Sequence, residues 1–193
     1  MRPSIEKHAM KQRHIQLETT VLARLLKNRP QATTLVVTKE HAWRLTHPNH
    51  ALYYVTKLGT HAPDERTFFA HTNQLPLASS SIDILVLPHF FVAEKNDHAL
   101  YNEFDRLLKP EGLLLVYGAN GAKQRSAGSL IHLLKKNDYQ ILKYRGYHTM
   151  PPLGKTLSGF LDKTLGAFTP SCSQAYWILT KKRIIFLRPL RVV

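Results

Sequence analysis

His89 is the first candidate for chemistry in this sequence. It stands directly after the apolar run "IDILVLP" at Ile82–Pro88. An unperturbed imidazole titrates near neutrality, so His89 can serve as a general base. A histidine at a strand-to-helix turn can equally be held there by backbone hydrogen bonds, and Pro88 would fix the turn in either case. Four more histidines, His41, His47, His50 and His61, gather around Pro48. That loop has no cysteine pair and no companion acids suited to zinc, so no metal is expected. Cys172 is the single cysteine and lacks a catalytic context. No G-x-S-x-G elbow, P-loop or G-x-G-x-x-G turn is present, which leaves hydrolase, kinase and dehydrogenase readings without support.

The elements that must position His89 can be read on either side of it. Apolar residues at Met10, Leu17, Val21, Leu22, Leu25 and Leu26 predict a helix over 6–28, stopped by Pro30. Strands are predicted at 33–38, 51–55, 67–70, 82–87, 113–117, 139–144 and 175–180, and helices at 97–109 and 128–137. The strand "LLLVY" at 113–117 is almost wholly apolar, as expected in a sheet covered on both faces. Alternation of strand and helix predicts an α/β protein with a largely parallel sheet and helices on both faces. With 193 residues and neither repeat nor linker, one domain over 1–193 is expected, ending in a basic, apolar tail at 184–193.

From Leu75 to Asn120 the sequence reads "LPLASSSIDILVLPHFFVAEKNDHALYNEFDRLLKPEGLLLVYGAN". It resembles the middle of bacterial type 11 methyltransferases, which are class I, Rossmann-like enzymes. A Leu-Pro turn, a polar turn, an aspartate before the fourth strand, a helix and a Lys-Pro-x-Gly turn before the fifth strand occur in family order. The terminal "AYWILTKKR" at 175–183 is similar, more loosely, to the closing strand of that group. Most of the matched residues are architectural. Asp83 is suited to accept backbone N–H groups at a strand start, and Ser79–Ser81 are turn formers.

The resemblance implies S-adenosylmethionine at the carboxyl ends of the first strands, near the topological switch point. There the family carries a glycine-rich turn after strand one, an acid after strand two and an acid near the adenine after strand three. This chain has Thr38, Lys39, Glu40 and His41 after strand one, and no glycine before Gly59. No acid lies between Glu40 and Asp64, and His71, Thr72 and Asn73 follow strand three. Either cofactor binding has been lost or weakened, or other contacts replace the usual ones. The candidates for such contacts are Thr38, Glu40, His71, Thr72, Asn73, Leu87 and Pro88. His89 then falls where the fold presents catalytic or substrate-positioning groups.

Charge points to a second class of function. Lys and Arg number 27 against 13 acids, for a net +14. Residues 112–193 carry 13 of the basic side chains and only Asp138 and Asp162 as acids. Such a field attracts polyanions. Lys135, Lys136, Lys181, Lys182, Arg183, Arg188 and Arg191, with Tyr144, Tyr147 and Trp177 among them, are candidates for binding nucleic acid or an acidic partner. On this alternative the chain is a non-catalytic methyltransferase relative, a pseudoenzyme. No membrane partner is expected, because no apolar stretch spans a bilayer and Pro189 interrupts the tail. A basic, polar start at 1–16 without an apolar segment, together with one cysteine, makes the cytoplasm the expected compartment.

Overall fold

A computed structural model describes residues 3–38, 52–56, 67–71, 74–89, 97–120, 126–147, 173 and 175–183, with side chains undescribed at 3–14, 52–56, 68–69 and 97–98. The elements run α1 (Pro3–Lys27), β1 (Thr34–Val37), β2 (Leu52–Thr56), β3 (Thr67–Phe69), β4 (Ile82–Pro88), α2 (Asp97–Leu107), β5 (Leu108–Ala119), α3 (Ala127–Lys136), β6 (Tyr139–Tyr147) and β7 (Ala175–Lys182). They build a seven-stranded sheet in the order β3-β2-β1-β4-β5-β7-β6. Strands β1 to β5 pair in parallel, and β7 runs antiparallel between β5 and β6. Strand order reverses between β1 and β4, so the switch point lies at their carboxyl ends. This is the expected Rossmann-like architecture.

Two apolar cores cover the two faces. On one face Leu35, Leu85, Leu87, Leu114, Val116 and Ile178 meet Leu100, Phe104, Leu130 and Leu134 of α2 and α3. On the other, Leu22 and Leu26 of α1 close over Val36, Ile84, Val86, Leu113, Leu115 and Tyr117. Residues of β4 and β5 alternate between the two clusters, which is why both strands read as unbroken apolar runs.

Three details differ from the sequence expectations. Leu17, assigned to the apolar stripe, is 45% exposed. It lies five positions before Leu22 and turns away from the stripe, whereas Glu18, four positions before, falls on it. Helix α2 ends at Leu107 rather than Lys109, because Leu108 already pairs with Ile82 before the register shifts to Ile84–Leu113. Glu111 takes a φ of 66° within that shift. A Cβ on Gly112 would stand 2.8 Å from the Lys109 carbonyl oxygen, so this reversal requires glycine. Strand β6 continues three residues beyond its expected end, to Tyr147, and that extension matters below.

The matched segment is held by polar clamps. Asp83 Oδ2 accepts the Thr33 N–H at 2.9 Å, and Lys109 Nζ donates to both Asp83 oxygens at 2.9 Å. Burial raises the Asp83 pKa, but Lys109 and the Thr33 N–H outweigh it and leave the carboxyl below its ordinary value. Arg106 donates to the Leu75 and Leu77 carbonyls at 3.1 and 2.8 Å and to Glu103, whose Oε1 accepts the Leu75 N–H at 2.6 Å. Hydrogen bonding to Arg106 is the largest cause holding the Glu103 pKa down. The Leu-Pro turn at 75–77 is thereby tied to α2, a structural duty as expected.

Candidate active site

A buried carboxylate lies at the carboxyl end of the sheet. Glu18, on the inner stripe of α1, is 1% exposed. Its Oε1 lies 2.8 Å from His89 Nε2 and accepts the Tyr147 hydroxyl at 2.5 Å. Its backbone carbonyl accepts the Tyr117 hydroxyl at 2.7 Å, so α1 is pinned to β5 at the same level.

Sheet register explains the meeting. Tyr117 pairs with Pro88, one residue before His89, and Ala119 pairs with Ala175, which in turn pairs with Tyr147. Strands β4, β5 and β6 therefore bring His89, Tyr117 and Tyr147 to one end of the sheet. His89 has a φ of 49° and its N–H still donates to the Tyr117 carbonyl at 2.9 Å. That left-handed turn redirects the chain at the end of β4, and the imidazole reaches α1. At Gly118 a Cβ would stand 2.4 Å from the Tyr176 ring, so glycine lets the buried Tyr176 ring cross β5 beside the cluster.

The electrostatics follow from burial. An ionised carboxylate inside a protein must be compensated by donors, and Glu18 has Tyr147 O–H and the His89 ring. Burial, and then the Glu18 charge, push the Tyr117 and Tyr147 hydroxyls well above the ordinary tyrosine value. Both remain neutral donors through the physiological range. A carboxylate only accepts, so the hydrogen-bond network assigns the His89 proton to Nε2 in the neutral ring, and proton exchange with a bound molecule runs through Nδ1. The His89 side chain keeps 34% exposure while that of Glu18 has none. The arrangement is an imidazole at a strand end, oriented by an interior acid.

The other candidate residues distribute as follows. Thr38 lies one residue past β1 and is buried. Leu87 belongs with its side chain to the core beneath α2 and α3, and Pro88 is buried beside it. His71 is exposed and forms an isolated bridge with Gln74. Strand β2 ends on Thr56, without a carboxylate. Glu40, Thr72, Asn73, Arg188 and Arg191 lie outside the described residues, as do the histidines at 41, 47, 50 and 61 and the tail at 184–193. Among the described residues no group of His, Cys, Asp or Glu could hold a metal ion. No described helix is long and apolar enough to cross a membrane.

The basic candidates do not form one continuous patch. Lys181 pairs with Glu111, and Lys182 with Asp105 at 3.1 Å. As neighbours in a strand they point to opposite faces. Lys136, Lys182 and Arg183 line a cavity of about 380 Å³ together with Asp105, Asp138 and Tyr139. Those cations also offset the carbonyl ends of α2 and α3. Lys135 is exposed at the end of α3.

Glu18 and the two tyrosines were not among the sequence candidates. Glu18 had a readable signal, an acid placed on the stripe of Leu22 and Leu26. Tyr117 and Tyr147 had none beyond their strands, because pairing register decides which end they reach.

Comparison with known proteins agrees with this architecture. Residues 32–116 match the family model described as a methyltransferase domain. A S-adenosylmethionine-dependent methyltransferase from Mesorhizobium loti superposes with a TM-score of 0.61 at 14% identity, covering 86% of this chain and 97% of that one. One from Thermotoga maritima gives 0.61 at 14% identity over 93% and 95%. A third, from Aquifex aeolicus, gives 0.55 at 12% identity over 82% and 88%. At these identities the likeness is one of fold. No curated protein sequence matches the chain.

Proposed function

We propose that this chain, which carries a methyltransferase domain of the class I fold, is a divergent S-adenosylmethionine-dependent methyltransferase with its reactive centre at His89. The observation that supports this reading is the buried Glu18 carboxylate bound to His89 at the end of β4. Fold alone would not support it, since one fold hosts many activities. A chain that kept only the architecture would gain from apolar side chains there, because buried ion pairs are commonly less stable than well-packed apolar replacements.

The residues present fit the cofactor without its usual hooks. β1 and β4 are adjacent through Val36–Val86, so Thr38 and the backbone of Leu87 and Pro88 flank the switch point where the methionine and adenosine parts would lie. Thr56 replaces an acid at the end of β2, which leaves the ribose hydroxyls to Glu40 or to backbone groups, and the adenine side to His71, Thr72 and Asn73. When bound, S-adenosylmethionine would supply an electrophilic methyl group. His89 then takes, at Nδ1, the proton that the acceptor sheds. Glu18 is a positioning residue: it orients the ring and stabilises the imidazolium that results. Tyr147 and Tyr117 hold Glu18 and α1 in place. A neutral O–H or ring N–H acceptor would need such a base most.

The loss of a carboxylate that would bind the ribose removes charge-assisted hydrogen bonds, each worth about 1.5–3 kcal/mol. Cofactor affinity is accordingly weak, between micromolar and millimolar. Calorimetric titration with S-adenosylmethionine and S-adenosylhomocysteine, alongside thermal shift, tests the proposal. Saturable binding in or below that range supports it. A folded protein that shows no binding at millimolar ligand would sink it and leave a pseudoenzyme.

A further inference from the structure

The outermost strand, β6, carries a cationic surface that the proposed reaction does not use. Residues 142–145 are four consecutive exposed positions, with Leu142 at 45% and Tyr144 at 42%. Lys143 and Arg145 between them have no carboxylate partner among the described residues. Direct pairing of Arg145 with Trp177 and of Lys143 with Leu179 puts all four on one face of the sheet. Lys181, two residues beyond Leu179, shares that face. Lys143 Nζ lies 6.0 Å from the centre of the half-buried Trp177 ring, the outer limit of a cation–π contact and therefore easily displaced. Across the described residues of α3, β6 and β7 and their flanks, seven cations (Lys135, Lys136, Lys143, Arg145, Lys181, Lys182 and Arg183) face one acid, Asp138.

We propose that this face of β6 and β7 binds single-stranded nucleic acid, with Lys143 and Arg145 on phosphates and Trp177 against a base. An acidic peptide would use the charges, but it has no planar ring for the indole. A single strand uses both. The inference is independent of the methyltransferase reading, since Lys143, Arg145 and Trp177 belong to the outer strand and not to the Glu18–His89 cluster. It also moves the interface from the Lys181–Arg183 run, two of whose cations are already paired, to residues the run does not contain.

The test is fluorescence anisotropy with a labelled oligouridylate, titrated with the full chain at several salt concentrations. The comparison is Lys143→Glu/Arg145→Glu, with Lys135→Glu/Lys136→Glu at the end of α3 as an equal change in net charge. Each neutralised phosphate contributes about 0.7 to the salt slope of a single strand, so losing two lowers it by about 1.4. Between about 50 and 200 mM salt, the wild type would then lose about sevenfold more affinity than the β6 variant. The α3 control is expected to keep the wild-type slope, and Trp177 fluorescence is expected to be quenched on binding. No binding at low salt, or equal losses in the two variants, overturns the proposal. Competition by polyglutamate as effective as that by unlabelled oligouridylate would assign the surface to an acidic protein instead. Lys143→Gln/Arg145→Gln, a milder change on exposed positions, separates loss of contact from loss of fold.

Discussion

Removing the Glu18 side chain should reveal how tightly its cluster is coupled. In Glu18→Ala the Tyr147 hydroxyl and the His89 ring both lose their acceptor. Tyr147 is 7% exposed, so water replaces that acceptor poorly. Breaking a buried charged pair by deleting one member costs about 3–5 kcal/mol. For a chain of this size about 2–4 °C accompanies each kcal/mol, so a fall in Tm on the order of 10 °C is expected. The His89 share is smaller, because a ring with 34% exposure is partly screened by solvent. Tyr147→Phe removes one charge-assisted hydrogen bond and should cost about 1.5–3 kcal/mol. The double variant should recover about 1.5 kcal/mol or more of the summed losses, since after one partner is gone the other has little left to lose. Urea unfolding of the four proteins at neutral pH measures this. Additivity within about 0.5 kcal/mol would refute the coupling, and with it Glu18 as the centre of the cluster.

Nitrogen-15 spectra of histidine-labelled protein should place the neutral His89 proton on Nε2, and Glu18→Gln should erase that preference in a protein that remains folded. Gly118→Ala pushes a methyl into the Tyr176 ring and should destabilise by about 1–3 kcal/mol, as overpacking does; the Tm of the purified variant checks this. Asp83 has a folded pKa below its unfolded one, so its stabilisation is present above about pH 3.9 and is lost as pH falls through the folded value. Acid unfolding of Asp83→Asn should be less steep over that window. Tyr147, whose folded pKa is raised, contributes below about pH 10 and loses that contribution above it. Tyr147→Phe should therefore have a flatter alkaline limb in a stability–pH profile.

The architecture was legible because β4 and β5 are buried on both faces and read as apolar runs, while Pro110 and Gly112 mark the turn between α2 and β5. The end of α2 was misplaced by two residues, since Leu108 suits the helix stripe as well as the strand bridge to Ile82. Glu18 could have been read: an acid on the line of Leu22 and Leu26 is anomalous in a core-facing stripe. Its partners could not. Tyr147 is 129 residues away from it, and only the antiparallel register of β7 against both β5 and β6 brings the two together. The same register divides Lys181 from Lys182, which a linear reading of the basic run merges, and gathers Lys143 and Arg145 over Trp177. His89 was identified from its place after β4, while the acid behind it came from the opposite face of the sheet.

The most direct test of the central claim is a proton–nitrogen NMR titration of the labelled protein with S-adenosylhomocysteine. The expected result is saturable shifts at Thr38 and His89, at the carboxyl ends of β1 and β4, with Lys143 and Arg145 of β6 unmoved. Shifts absent from Thr38 and His89 at millimolar ligand, in a spectrum that is otherwise that of a folded protein, would contradict a methyltransferase centre at His89.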